Sequence, residues 1–597
     1  MFPSVLLKGS LTQFQYTMKK IILTLFAAFS LLQASAQGYR NPVINADAPD
    51  ISMVKVADYY YMVSTTMHLM PGAPIMRSKD MVNWETISYV FDRIDDGDRY
   101  NLIDGKTVYG QGQWASSIRY HMGKFYVWFT CNGAPGKGFI YSAEDPRGPW
   151  KLEARPPHTH DASLFFDEDG KRYFITGGGS VTELDENFQP KKGGLNVRVI
   201  NPNEDPQERG ALHEGASAYK HNGYYYLCYI SMKWGAPGRV RREVCYRSKN
   251  IAGPYEKKII LETPFESYGG VGQGTIAGDD QSDEGWMALI FQDRGGIGRV
   301  PVAMPVTWVD GWPMCGEYTG EINNQIADIP EDNPTNNPRL DRRRYKIPND
   351  LSLKHPDPKG YIGSDEFDLP AEALNKMVKP TYHAQHGLSL YWQWNHNPID
   401  EAWSLSERPG YLRLKTARVV DNLNIAPNTI TQRMFAPLCE GAICIDIANM
   451  KDGDVCGLAA YNGDSGVLRI VKQGGKWVLQ CTEEKAVFGR EKVVTKVNVE
   501  VLEEIPLKIK ALKAADGKKT MNIYLKVRGD FNPRRDMAQF SYSLDGQQWQ
   551  NIGREIKMNF DYQRHFMGSK FAIFNYATKQ LGGMVDVDWF HFNVPEK

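Results

Sequence analysis

Short aromatic and β-branched runs recur through the first half of the chain, each just after a turn. Tyr59–Ser64 follows Asp58, Phe125–Thr130 follows Gly123, Tyr173–Thr176 follows Gly170, Tyr224–Ile230 follows Gly223, and Trp286–Phe291 follows Gly285. Runs of this length bounded by turn residues predict strands. Ahead of each lies another strand-like segment with a related opening: Ala48-Pro-Asp-Ile-Ser, Trp114-Ala-Ser-Ser-Ile, Asp161-Ala-Ser-Leu, Glu214-Gly-Ala-Ser and Gly272-Gln-Gly-Thr-Ile. Three later segments end in an acidic or amide turn followed by an aromatic residue, at Asp80 to Trp84, Asp145 to Trp150 and Asn250 to Tyr255. Such turns suit entry into an outer strand. A unit of this kind repeated five times predicts a five-bladed β-propeller over residues 38–325.

Beyond it the pattern changes. Residues 326–362 carry six prolines among Asn and Asp, which predicts an extended linker draped on a surface. In 363–597, apolar and polar residues alternate in Gly441–Met450, Leu507–Leu512, Asn522–Val527, Phe540–Leu544 and Val585–Phe592, as in half-buried strands. Asp545-Gly546 is a hairpin turn signal. Helical periodicity is scarce, so the chain reads as all-β, with a β-sandwich as its second domain.

Composition narrows the partners. Lys plus Arg equals Asp plus Glu, 70 against 70, which argues against a nucleic-acid partner or an anionic membrane surface. The basic run Arg339-Leu-Asp-Arg-Arg-Arg reads as part of a solvated linker. Lys19-Lys20, the apolar stretch to Leu32 and Ala34-Ser-Ala-Gln-Gly read as a secretory signal cleaved near Ala36, so residues 1–36 are set apart from the fold. Met18 allows residues 1–17 to be an upstream mis-start. The expected location is therefore periplasmic or extracellular. No other stretch predicts a membrane span. The eight cysteines lack metal-ligand spacing and read mostly as small buried residues, with no pair assigned.

The repeat supplies the candidate chemistry. The inner strands of propeller blades converge on the axis, so residues at their leading ends meet in one pocket. Asp50, Asp161 and Glu214 hold that position in three repeats. Glycoside hydrolysis needs one carboxyl to protonate the departing oxygen and another to activate water. Asp50 is assigned as general base, Glu214 as general acid, and Asp161 as the neighbouring charge that tunes and orients the acid. A single Asp in such a context more often caps a turn, but three acids at one repeat position weigh against that. Asp47, three residues before the aligned position, is the competitor for the base.

These motifs resemble glycoside hydrolase family 43, in its secreted two-domain β-xylosidase and α-L-arabinofuranosidase group. Asn41-Pro-Val-Ile with Ala48-Pro-Asp-Ile-Ser, His160-Asp-Ala-Ser-Leu-Phe-Phe-Asp-Glu-Asp-Gly and Glu214-Gly-Ala-Ser-Ala-Tyr-Lys are similar to its three carboxylate motifs. Ile51, Ala162 and Ala216 stand where proline is usual. The resemblance continues through Trp114-Ala-Ser-Ser-Ile-Arg-Tyr-His, Gly272-Gln-Gly-Thr and Gly298-Arg-Val-Pro, and through Trp392-Gln-Trp-Asn-His-Asn-Pro, Glu407-Arg-Pro-Gly-Tyr-Leu-Arg-Leu and Asn428-Thr-Ile-Thr-Gln-Arg in the distal domain. It implies a C-terminal concanavalin-like sandwich and an inverting mechanism, with the two working carboxyls about 6.5–9.5 Å apart.

The expected function is exo-acting release of terminal xylose or arabinose from plant xylan or arabinoxylan. Trp114, Arg299, Gln273 and His68 are the candidate substrate-binding residues; Trp392 and Trp394 are expected in the sandwich core. No metal ligand is assigned and no cofactor is required, although a structural cation such as calcium near the propeller axis is compatible with the resemblance. A retaining fructosidase-type propeller ranks low because its Asn-Asp-Pro and Arg-Asp-Pro signatures are missing. A lectin-like propeller would not need all three acids.

Overall fold

The computed structural model describes residues 38–596 except 134–136, 206–207, 234–240, 321–343, 369–386, 514–516 and 518. The signal segment and the linker up to residue 343 lie outside the described residues. Five four-stranded antiparallel sheets follow one another in chain order. Their first strands are Ser52–Val56, Gln113–His121, Ser163–Phe166, Ala211–His221 and Gly274–Ala277, which define blades I to V. Every sheet keeps strictly sequential strand order, the topology of a propeller blade. The aromatic runs are the second strands. Their alternate side chains fill the spaces between blades, as Phe125, Val127 and Phe129 do against Val63, Ile75 and Phe91.

The turn signature is a side-chain cap. Asp80 Oδ1 accepts from the amides of Val82 and Asn83, Asp145 Oδ1 from Arg147, and Asn250 Oδ1 from Ala252. These bonds satisfy backbone donors where the chain leaves the third strand of blades I, II and IV.

The second domain is two packed sheets of eight strands. Strand Asn522–Asp530 alternates buried and half-buried residues along its whole length, with Ile523, Leu525 and Val527 in the core. Two central strands, Asp454–Tyr461 and Lys570–Ala577, are buried on both faces. Cys456, Leu458 and Ala460 enter the sandwich core, while Val455, Ala459 and Tyr461 join a second cluster with Leu423 and Phe574. That double burial is why no alternation marks them in the sequence. The expected strand Leu507–Leu512 is corrected. Strand Val494–Leu507 ends where its partner ends, at Trp477 opposite Leu507, and Leu512–Lys513 belongs to a separate short ribbon. Asp545 does turn the chain, accepting from the amides of Gln547 and Gln548, but the strands re-pair only at Tyr542 opposite Gln550.

The two domains share structure. Leu69–Met70, from blade I, is the edge strand of one sandwich sheet and pairs with Gln393–Asn395. One apolar core runs from Val43, Ile44 and Met62 through Trp392 and Trp394 to Phe571 and Phe590. The described end of the linker packs rather than floats: Tyr345, Tyr361 and Ile362 are buried, and Pro348 accepts a hydrogen bond from Asn41.

Candidate active site

The site forms where the inner strands of the blades begin. There the backbone turns sharply: Asp50, Asp161 and Gln273 have φ of 52°, 46° and 68°, and Gly215, beside Glu214, has 67°. Left-handed conformations in non-glycine residues concentrate at functional sites. The first strands of blades II and IV are also bulged, between Gln113 and Ser116 and between Glu214 and Ser217. Such bulges re-aim side chains at sheet ends. Buried Gln113 secures the first one, accepting from Thr66 and donating to Trp114 O and Ser116 Oγ.

Asp50 is buried between two donors. Arg299 Nη1 lies 2.7 Å from its Oδ1, and Thr65 Oγ1 donates to its Oδ2 at 2.8 Å. Burial pushes its carboxyl above the usual range. Arg299 and Thr65 oppose that push, while the charges of Glu214 and Asp293 add to it. Asp47 takes a different part. It accepts from the amides of Arg299 and Gly568 and from Lys570 Nζ at 3.0 Å. Burial raises its carboxyl, but Lys570 and the two amides outweigh it and hold it below the ordinary value. Asp47 is thus a fixed anchor between the domains.

Asp161 and Glu214 meet beside His160. Ala216 N donates to Asp161 O, which ties the two leading ends together. His160 Nε2 lies 3.7 Å from Asp161 Oδ1 and 3.7 Å from Glu214 Oε2. Burial, with the nearby charges of Glu214 and Asp50, raises the Asp161 carboxyl to about 7 against the pull of His160. Behind the acid stands Gly177, where a Cβ would come within 2.9 Å of Glu214 Cα, so only glycine lets the neighbouring loop approach. Carboxyls in different surroundings, Asp50 on a guanidinium and Glu214 beside an imidazole, are what acid/base hydrolysis requires.

Of the other expected residues, Trp114 is half-buried, its ring 5.4 Å from His160 and 5.4 Å from Phe566. Arg299 stacks between Phe291 and Phe566, with centroids at 5.2 and 4.8 Å, and its Nε and Nη2 are buried without a protein partner. Gln273 packs its side chain against Gly215, and its backbone amide donates to Glu243. His68 lies apart from the acids. It is only 2% exposed, and its ring packs on Tyr109, His396 and His565 at the domain junction. There burial holds its imidazole down at about 3, which keeps it neutral and away from any proton traffic. Trp392 and Trp394 are fully buried in the core, as expected. On the propeller axis, Arg119 donates to Ile118 O, Ala218 O and Ser163 Oγ, a fixed positive charge between blades.

Sequence reasoning missed the contribution of the second domain. The segment 558–568 reaches over the mouth, placing Phe560 and Phe566 on Arg299 and the Tyr562 hydroxyl 2.8 Å from Asp293 Oδ2. Nothing in the propeller repeat points to residues so far along the chain. Thr65 and His160 lie nearer to hand, one opposite the base and one inside a quoted motif. None of the described helices is long and apolar enough to cross a membrane.

Known proteins resemble the chain over both domains. Residues 39–313 match the model of glycosyl hydrolases family 43, and 382–593 match that of the β-xylosidase C-terminal concanavalin A-like domain. A β-xylosidase of Formosa agariphila is 28% identical over 606 residues, covering 93% of this chain and 90% of its own. A non-reducing end α-L-arabinofuranosidase of Bacteroides ovatus is 29% identical over 67% of this chain and 69% of its own. Among solved structures, a bifunctional GH43-CE protein of Bacteroides eggerthii superposes with a TM-score of 0.76 at 35% identity, covering 94% of this chain, which spans 64% of that protein's length. Two matched domains and a mouth lined by three carboxylates lead to one assignment: the chain belongs to glycosyl hydrolases family 43, and is a glycoside hydrolase.

Proposed function

We propose that this enzyme removes terminal xylose or arabinose from xylan-type glycans of plant origin, by inversion. The observation that carries the reading is the convergence of Asp50, Asp161 and Glu214 at one mouth beneath aromatic residues of a second domain. Asp50, held by Arg299 and Thr65, takes a proton from a water on one face of the sugar. That water's oxygen bonds to the anomeric carbon as the glycosidic bond breaks. Glu214 gives its proton to the departing oxygen. Asp161, next to the acid, tunes and orients it. Trp114, Arg299 and Phe566 supply an apolar face and free guanidinium donors, a combination suited to a neutral pentose.

The segment 558–568 restricts one side of the mouth, which favours chain ends over internal bonds. The names of the two relatives support xylose or arabinofuranose as the sugar released. No cofactor enters this chemistry, and a bound cation such as calcium would serve structure. Export, read from residues 19–36, would place the enzyme where such glycans are met.

The test is hydrolysis of paired aryl β-xyloside and aryl α-L-arabinofuranoside, with NMR of the first-formed anomer. Inverted product from either supports the reading; product retaining the substrate's configuration rejects it. Should Glu214→Ala leave hydrolysis intact, the acid is misassigned; loss of turnover with sugar binding kept separates catalysis from a lectin-like role.

A further inference from the structure

Inverting hydrolysis leaves a proton imbalance that the two working carboxyls do not resolve between themselves. Each turnover adds a proton to Asp50 and removes one from Glu214. Asp50 is buried, and Glu214 has 29% of its side chain exposed before any sugar covers it. His160 stands between the acid and its neighbour, 3.7 Å from Glu214 Oε2 and 3.7 Å from Asp161 Oδ1. That Asp161 oxygen is buried and accepts no hydrogen bond from the protein. The rest of the imidazole is open: 44% of the side chain is exposed, and the ring borders Trp114. One edge therefore faces the acid and another faces solvent.

We propose that His160 is a positioning residue for the general acid: it fixes the Glu214 carboxyl and returns to it, from solvent, the proton that each turnover removes. This rests on Glu214 being the acid. In the step, one water relays the proton across the 3.7 Å between them: the imidazolium Nε2–H bond breaks, the water takes that proton and gives one of its own, an O–H bond forms on Glu214 Oε2, and neutral imidazole is left. The ring regains a proton from water at its exposed edge, and Asp50 releases one to water, so the cycle balances without any other reactant.

The surroundings suit the task. The charged groups facing His160 are Glu214, Asp161 and Asp50, all acidic, with His158 as the basic neighbour. Contact with Glu214, helped by the other two acids and opposed by burial, raises the imidazole to about 9. The imidazole therefore keeps a proton to offer into that raised range. Without the ring, that reserve beside the acid is gone.

The experiment compares wild type, His160→Phe, His160→Gln and Glu214→Ala on aryl glycosides whose phenols span a range of acidity, across pH 5 to 9. A basic leaving group needs protonation and an acidic one does not. His160→Phe is expected to lose on the order of tenfold or more in kcat on the most basic phenol and little on the most acidic, and its alkaline limb of kcat/KM should move to lower pH. His160→Gln, which keeps a polar side chain beside the acid but no titratable proton, should keep KM and show the same limb shift. Equal losses on every phenol with an unmoved limb in both variants would overturn the proposal, whatever the melting temperatures do. Glu214→Ala must itself discriminate steeply among the phenols; a flat response there sinks the assignment of the acid instead.

Discussion

Lys570 Nζ, on a central strand of the sandwich, lies 3.0 Å from Asp47 Oδ2 of the propeller, and both side chains are buried. Asp47 sits three residues from Asp50 in sequence, yet the pair takes no part in the proposed chemistry. Removing one partner of a buried ion pair leaves an uncompensated charge, at a cost of about 3–5 kcal/mol. Lys570→Met and Asp47→Ala should therefore lower the unfolding free energy by that order in denaturant titrations. An unchanged midpoint would show that the junction tolerates the lone charge.

Asp50→Asn and Glu214→Gln should behave in the opposite way. Both preserve shape, and the amide introduced by Asp50→Asn could still accept from one of the two donors, Thr65 or Arg299. Turnover is expected to fall by about 10²–10⁴-fold, the usual contribution of a positioned acid or base, with melting temperature close to wild type. Modest kinetic loss joined to a large thermal loss would make these carboxyls structural.

Asp161 gives a pH signature in stability. Its folded carboxyl is raised to about 7 from an ordinary 3.8, so the native state holds more protons than the unfolded chain between those values. Stability from this group is fully present below pH 3.8 and is lost as pH rises through 7. Asp161→Asn removes the penalty. Relative to wild type, its melting temperature should rise progressively from about pH 4 to about pH 8, the span over which the two states differ in bound protons. A constant difference across that range would mean that the carboxyl titrates normally.

Phe566 tests the second domain's share in the pocket. Its ring packs on Arg299 and Trp114, and an aromatic pair of this kind contributes about 0.5–1.5 kcal/mol beyond burial. Phe566→Ala should raise KM severalfold while leaving the alkaline limb of the pH profile in place. If KM is unaffected, the ring does not bound the sugar.

How much of this is legible in the sequence follows from periodicity. The blades announce themselves because three of them repeat the same turn chemistry, at Asp80, Asp145 and Asn250, and three repeat the opening that carries Asp50, Asp161 and Glu214. The sandwich is readable only where one face meets solvent, as in Asn522–Asp530; strands such as Asp454–Tyr461, buried on both faces, carry no alternation to read. His68 looks like a pocket residue from its place in a loop after blade I's second strand, but that loop turns toward the sandwich. Phe566 and Tyr562 are illegible because a contact between distant segments leaves no local pattern.

The short strand at Leu69–Met70 sets an order on how the molecule comes into being. Its partner at Trp394 and Asn395 is made long afterwards; the neighbouring bond from Gln393 to Pro71 joins residues 322 apart. A ribosome thus releases all five blades before the chain that closes blade I's loop exists, and Phe566 emerges later still. The sugar's enclosure is therefore completed only after the acids are in place, and a product cut short before residue 558 would carry the acids without their roof.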